Sequence, residues 1–251
     1  MKYFNLARET THFKDSLKNH EQLHSPAGKF LRHAIFGMND GLVSTLALLA
    51  GFVGAFMTQN VIIIAGVVEM MAGAISMALG TYISTKSQIE FYMREVKKER
   101  DDLEKKPTIE KEHVKEIYYN KGFRGKELNL IVTRLTSNKK IWLDVLVQEE
   151  LGLSQTKMEN PFTAGVVMFF AFVFGAFIPL SSFIFVPMTH ALPTAIISSL
   201  FVLFLAGAIK THFTGRHWLK SGFEMFLVGA LATGVAYYAG SAIATFANYL
   251  L

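Results

Sequence analysis

The chain has 251 residues, of which 51% are hydrophobic, and it carries a net charge of +5 at neutral pH. Its mean hydropathy of +0.31 and the grouping of its apolar residues into long blocks exclude a soluble domain of ordinary composition. The absence of cysteine excludes disulfides, zinc–thiolate sites and thiol redox chemistry. Nucleic-acid binding is not expected, because no basic and aromatic groove pattern accompanies the positive charge.

Five apolar blocks each approach the roughly 20 residues that a helix needs to cross a bilayer. The blocks are His33–Met57, Val61–Thr85, Phe162–Val186, Ala191–Ile209 and Gly222–Tyr249. The sequence therefore predicts an all-α, polytopic membrane protein with five transmembrane helices.

Lysine and arginine are distributed asymmetrically between the segments that join these blocks. All 25 of them lie before the first block, between the second and third, or between the fourth and fifth, and the other segments carry none. Because basic residues beside spanning helices stay in the cytoplasm, we expect a cytoplasmic N terminus and a C terminus on the far side.

A charged helical insert is predicted between the second and third transmembrane helices. From Thr85 the second helix continues without a glycine or proline to Lys106, and Pro107 ends it. Three shorter helices follow, at Thr108–Asn120, Gly125–Thr136 and Asn138–Leu151. The chain thus divides into a cytoplasmic N-terminal segment, transmembrane helices 1 and 2, a cytoplasmic helical domain and transmembrane helices 3 to 5, at 1–28, 29–85, 86–160 and 161–251.

Asp40 and Glu69 are carboxylates that lie inside predicted spans. A charge at the centre of a membrane helix costs about 2.5–3.5 kcal/mol on insertion scales, so such a residue indicates a functional site. Met77 lies near the same helix face as Glu69, with Gly73 between them. A carboxylate with a thioether suits Fe²⁺ better than Mg²⁺ or Ca²⁺. Core packing is the alternative for Met77, and a surface turn is the alternative for Asp40.

Small residues form two strips along the second predicted helix. Gly66, Gly73 and Gly80 recur every seven residues, and Ala72, Ser76 and Gly80 every four. Such strips allow another helix to approach closely, within the chain or across a dimer axis.

Acidic residues recur at helical spacing in the predicted insert. They form three groups: Glu95, Glu99 and Asp102; Glu110, His113 and Glu116; and Glu149 with Glu150. Each group alone is typical of a solvated helix face, but their convergence would make a second metal site. Glu110 and His113 also match the Glu-x-x-His motif that di-iron carboxylate bundles use twice, although only one copy occurs here. No ATP-binding or hydrolase motif is present.

Together these motifs resemble the vacuolar iron transporter family, over residues 30 to 248. The matching strings are Arg32–Ala55, Glu69–Ala78, Glu149–Leu153, Gly175–Leu180 and the run from Thr214 to Gly222. The resemblance implies a homodimer of five-helix protomers that moves Fe²⁺, and often Mn²⁺, out of the cytosol in exchange for protons.

The resemblance also implies two sets of ligands. The membrane ligands would be Asp40, Glu69 and Met77. The cytoplasmic ligands would be Glu99, Asp102, Glu110, His113 and Glu150, with Glu95, Glu116 and Glu149 as second choices. The chain departs from the family pattern at Leu146 and Val147, which stand at methionine positions, and in the aspartate and histidine that replace two glutamates. This departure implies a weaker, shifted or differently selective cytoplasmic site.

The expected function is therefore proton-coupled metal export by a secondary transporter, which is not an enzyme and holds no tight cofactor. Fe²⁺ is the expected substrate, with Mn²⁺, Co²⁺ and Zn²⁺ as further candidates, and the expected partners are lipid, protons and a second copy of the chain. The membrane would be vacuolar in a eukaryote and the inner membrane in a bacterium. The alternatives are a membrane-anchored metal sensor or scaffold without flux, and a membrane-tethered ferroxidase.

Overall fold

The computed structural model describes residues 27–150, 158–214 and 217–250, and in these ranges the chain is helical with no strand. The helices are α1 (Ala27–Gly54), α2 (Gln59–Lys105), α3 (Pro107–Asn120), α4 (Gly125–Thr136), α5 (Lys139–Val145), α6 (Pro161–Phe185), α7 (Met188–Thr214) and α8 (Trp218–Leu250). A π-helical turn, Leu146–Glu150, follows α5. Most of the predicted N-terminal segment lies outside the described residues.

Five of these helices, α1, α2, α6, α7 and α8, are long and apolar enough to cross a membrane. The predicted all-α class with five transmembrane helices is thereby confirmed. The observed helices extend beyond the apolar blocks, since α7 begins at Met188 and α8 at Trp218. Polar residues can continue a helix past its apolar stretch, so hydropathy alone does not mark the ends.

The chain forms two compact units, and α2 contributes to both. The first, here called the membrane unit, contains the described residues up to Thr81 and those from Phe162 onward. The second, here called the insert, is Tyr82–Pro161. The sequence placed the insert at 86–160.

In the membrane unit, α8 packs against α1 and α7, and α1 also contacts α7. A buried cluster joins α1, α2, α6 and α7, and its members include Leu46, Ile62, Phe183 and Ala195. Lipid is as apolar as these side chains, so close van der Waals packing and not hydrophobic exclusion holds such helices together. The backbones must therefore approach closely.

Glycines permit that approach between α1 and α6. A Cβ atom placed on Gly41 would lie 2.3 Å from the carbonyl oxygen of Phe172, and one on Gly175 would lie 2.2 Å from the carbonyl oxygen of Met38. No side chain fits at either distance, so the two backbones touch. This contact fixes the turn of α1 that carries Asp40.

Part of the glycine strip on α2 packs against another helix of the same chain. Gly66 packs against Leu180 and Gly73 against the ring of Phe172, both on α6. Gly80, the third member of the strip, has no described neighbour within 4 Å of the place that a Cβ atom would occupy. The first two glycines thus serve the close helix packing that the sequence predicted.

Turn chemistry sets the helix ends in the insert. Pro107 stands in the first turn of α3, one residue before the predicted start at Thr108, and Gly122 follows that helix with a φ of 101°, which favours glycine. The Asn138 side chain accepts hydrogen bonds from the backbone N–H groups of Lys140 and Ile141 and so caps α5. The predicted helix at Asn138–Leu151 is partly wrong, because α5 ends at Val145 and a π-helical turn replaces its last part.

Replacing Gly175 by alanine should destabilise the membrane unit by about 1–3 kcal/mol, the usual cost of forcing an extra methyl group into a packed site. Thermal unfolding in detergent, followed by size-exclusion chromatography after heating, measures this loss. Gly234→Ala is the matched control, because no described atom lies within 4 Å of its added methyl group. Equal melting of the two variants would contradict the close contact between α1 and α6.

Candidate functional site

The buried apolar side chains of the insert determine which faces of its helices pack together. Leu103 of α2, Val114 of α3, Trp142 of α5 and Leu146 of the π-helical turn belong to one buried cluster. Glu110 is buried on the same helix as Val114, one turn before it. The apolar packing therefore draws the acidic face of α3 toward the end of α5.

This packing brings three of the predicted ligands together. The Nδ1 atom of His113 lies 3.3 Å from Oε2 of Glu110 and 3.5 Å from Oε1 of Glu150. One ligand atom from each of the three residues lies within 4.8 Å of the others. An ion placed among them would have two carboxylate oxygens and one imidazole nitrogen as ligands.

Two of these ligand atoms lack hydrogen-bond partners within the described chain. Glu110 is only 5% exposed, and its Oε2 atom and the Nδ1 atom of His113 are both buried without a hydrogen bond. They are close enough to interact, but their directions do not make a hydrogen bond. Buried polar atoms normally find partners, so buried atoms that make no hydrogen bond need another explanation, such as a bound ion or a water molecule.

Glu99 adds a further buried carboxylate to this neighbourhood. It lies on α2 beyond the apolar part of the helix and is 7% exposed. Burial raises the pKa of Glu99, and the nearby carboxylates of Glu150, Glu110 and Asp102 raise it further, while Lys98 opposes them. Five of the predicted cytoplasmic ligands thus belong to one electrostatic neighbourhood.

The three second choices have other surroundings. Glu95 pairs with Arg94 at 3.0 Å, and Glu149 pairs with Lys121 at 2.5 Å. Glu116 is exposed. The family's methionine positions, Leu146 and Val147, are buried apolar residues and provide no ligand atom.

The predicted membrane residues lie on helices that meet at one aromatic residue, Phe172 of α6. Gly41, next to Asp40, contacts the backbone of Phe172, and Gly73, one turn after Glu69, contacts its ring. Met77 packs against the buried cluster that contains Phe172. The core packing considered for Met77 is therefore present, and the turns that carry the two acids are held against the same residue.

Asp40 and Glu69 are both half-buried, and neither carboxylate makes a hydrogen bond or ion pair with the described part of the chain. Ser44 and Thr45, which follow Asp40 by about one turn, hold buried hydroxyl oxygens that likewise lack a described partner. Sequence reasoning missed these two hydroxyl groups. Serine and threonine are common in packed membrane helices, so their presence alone gave no signal.

The fold and the insert cluster together define a multi-pass α-helical membrane protein with a site suited to a divalent cation. The model of the VIT family matches residues 31–241. The chain belongs to this family.

Several relatives named as vacuolar iron transporters align with most of the chain. Vacuolar iron transporter 1 of Arabidopsis thaliana is 37% identical over 224 residues, which are 88% of this chain and 89% of the relative. Vacuolar iron transporter 1 of Tulipa gesneriana is 36% identical over 90% of this chain and 92% of its own length. The vacuolar iron transporter of Plasmodium berghei is 34% identical over 86% of this chain and 83% of the relative.

The raised pKa of Glu99 predicts a pH-dependent stability of the metal-free insert. Its folded-state pKa lies above the ordinary value of 4.5, so the stability it contributes is present at lower pH and is lost as pH rises through the raised value. Glu99→Gln should therefore raise the melting temperature near neutral pH and flatten its decline with pH. Trp142 fluorescence reports on the insert if Trp218 is first replaced by phenylalanine, because the chain has 2 tryptophans.

Glu104→Gln is the control for this measurement, since Glu104 is exposed on the same helix. A chelator should be present throughout. The same pH dependence in the parent chain and in Glu99→Gln would contradict the electrostatic role of Glu99.

Proposed function

We propose that the protein is a secondary transporter that moves divalent transition-metal ions, with Fe²⁺ as the main substrate, out of the cytosol in exchange for protons. The observation that carries this proposal is the cluster of Glu110, His113 and Glu150, in which two buried ligand atoms make no hydrogen bond. Membership of the VIT family and the names of its relatives support iron as the cargo. The protein would act as a transporter and not as an enzyme.

The ligand types support a borderline divalent metal. Carboxylate oxygens bind many cations, but an imidazole nitrogen favours Fe²⁺, Co²⁺ or Zn²⁺ over Mg²⁺ and Ca²⁺. Mn²⁺ is a further candidate because its preferred ligands are oxygen atoms. His113 therefore gives the site a preference for transition metals that carboxylates alone would not give.

The distribution of basic residues supports a cytoplasmic insert. The segment between the second and third spans is rich in lysine and arginine, whereas the segment between the third and fourth has none. By the positive-inside rule the N terminus and the insert face the cytosol, and the C terminus faces the far side. The insert would capture metal on the side from which it is exported.

Asp40, Glu69 and Met77 would carry the metal through the membrane unit. Their turns are held around Phe172, and neither carboxylate has a described partner that would neutralise it. An unpaired carboxylate in lipid is unfavourable, so each must hold a proton or share the charge of a cation. Because one group cannot do both fully, metal release and proton uptake would be coupled, which is antiport.

A second copy of the chain would pack against the exposed small-residue strip on α2. Ala72, Ser76 and Gly80 are all exposed, and no other described side chain or helix lies within 4 Å of the place that a Cβ atom on Gly80 would occupy. Small residues of this kind allow two membrane helices to approach closely. A homodimer with α2 at its interface is therefore our proposal for the assembly.

Asp40→Asn and Glu69→Gln should each abolish metal flux, since an amide can neither release a proton nor provide a negative charge. Flux is measured as Fe²⁺ entry into sealed proteoliposomes that contain the purified protein and a pH-sensitive dye. Glu224→Gln is the matched control, because Glu224 is exposed within the first two turns of α8, away from the centre of that span. Full, proton-coupled transport by both Asp40→Asn and Glu69→Gln would contradict the mechanism.

The same assay separates the other functional classes. Metal binding without flux in the parent chain would indicate a sensor or scaffold. Oxygen consumption on addition of Fe²⁺ would indicate a ferroxidase.

Glu110→Gln and His113→Gln should each weaken metal binding by more than about tenfold, because even groups that only support a ligand change affinity by about 10–100-fold. Isothermal titration with Mn²⁺ or Co²⁺ in detergent measures the change. Glu112→Gln is the control, since Glu112 is exposed on the same helix and pairs with Lys115 at 2.9 Å. Unchanged affinity in both ligand variants would place the metal elsewhere.

A further inference from the structure

Two adjacent glutamates at the end of the π-helical turn have different partners. Glu150 directs Oε1 toward Nδ1 of His113, at 3.5 Å, whereas Glu149 directs Oε1 toward Nζ of Lys121, at 2.5 Å. Both belong to the π-helical turn Leu146–Glu150. The two side chains have the same chemistry, so a difference in backbone position or in neighbouring charge must determine which one reaches Glu110 and His113.

The π-helical turn changes which residue occupies a given place on the helix. In an α-helix each residue lies roughly above the residue four positions earlier, but in a π-helical turn it lies above the residue five positions earlier. Glu150 therefore occupies the place above Val145 that Glu149 would occupy if α5 continued as an α-helix. A change between the two backbone forms would exchange the two glutamates at the cluster.

The start of this turn is fixed by the core of the insert. Leu146 is fully buried among the side chains of that core, and Val147 is buried beside it. Glu149 and Glu150 are exposed. The end of the turn therefore depends on polar contacts and not on apolar packing.

Lys121 is positioned by the helix that carries the metal ligands. It caps the end of α3, the helix of Glu110 and His113, where the negative end of the helix dipole favours a cation. Its Nζ atom also lies 5.2 Å from the centre of the Tyr118 ring. Lys121 thus stands at the end of α3, beside the Tyr118 ring, and pairs there with Glu149.

We propose that Lys121 is a positioning residue that selects Glu150 as the third metal ligand by holding Glu149 and, with it, the π-helical form of the turn. Without Lys121 the turn adopts the α-helical form, and Glu149 takes the place of Glu150 beside His113. This inference rests on the proposed metal binding by Glu110, His113 and Glu150. It assigns a role to a lysine that is not itself a ligand.

The experiment compares how strongly Co²⁺ binding depends on each glutamate with and without Lys121. Glu149→Gln and Glu150→Gln are made in the full chain and again in Lys121→Met, and binding in detergent is followed by titration and by the visible absorption of Co²⁺. With Lys121 present, Glu150→Gln should weaken binding by more than about tenfold and Glu149→Gln by less than about twofold. In Lys121→Met the effect of Glu150→Gln should fall to less than about threefold, and the effect of Glu149→Gln should rise.

Two controls separate positioning from general charge and folding effects. Lys115→Met removes another lysine of α3, one that pairs with Glu112, and should leave the dependence on Glu150 unchanged. Lys121→Arg keeps the positive charge and should retain the parent pattern. Trp142 fluorescence, in a chain without Trp218, should show a folded insert in every variant, because unfolding would weaken binding without exchanging the two glutamates.

The outcomes distinguish this inference from the proposed function. If Co²⁺ binds the parent chain but Glu150→Gln has the same effect with and without Lys121, the role of Lys121 is refuted and the metal site stands. If the parent chain binds no Co²⁺, both are refuted. An exchange of dependence from Glu150 to Glu149 in Lys121→Met alone supports the inference.

Discussion

Carboxylates that are withdrawn from water need a proton or a cation, and both candidate sites of the molecule are subject to this requirement. In the insert, Glu99 and Glu110 are buried close enough to other acids that burial and mutual repulsion raise the pKa of Glu99. A structure that gathers like charges in this way is stabilised when a cation binds them. The same requirement applies to Asp40 and Glu69 in the membrane unit, where water is replaced by lipid.

Close backbone contact in the membrane unit holds the helix turns that carry Asp40 and Glu69 in defined places. Gly41 and Gly175 allow α1 and α6 to touch, and Gly73 brings α2 against Phe172. Because lipid provides no hydrophobic force between helices, these close contacts form where glycine leaves room for the backbones to meet. The glycines thus serve the position of the neighbouring acids as well as the packing.

In the insert, an apolar core and not glycine contacts holds the acidic residues in place. Its candidate ligands come from α3 and from the π-helical turn after α5, and an ordinary apolar core that includes Val114 and Leu146 sets the distance between these elements. The core leaves the polar end of the turn free, and there Glu149 pairs with Lys121 while Glu150 lies beside His113. The selectivity of such a site depends on neighbouring charges as much as on the ligands themselves.

The sequence by itself determined the helical class, the five spans and the residue types at both sites, because hydropathy, helical spacing and the effects of proline and glycine act locally. It also predicted Glu110, His113 and Glu150 as ligands through the family resemblance, and the helical spacing of Glu110 and His113 placed these two on one face of a helix. It ranked Glu150 above Glu149 only through the family resemblance, because the choice of partner for each glutamate depends on a π-helical turn and on Lys121, which is distant in sequence from both. Only the tertiary structure decided this, and it also decided that Phe172 joins the turns of Asp40 and Glu69, since contacts between distant helices have no local signal.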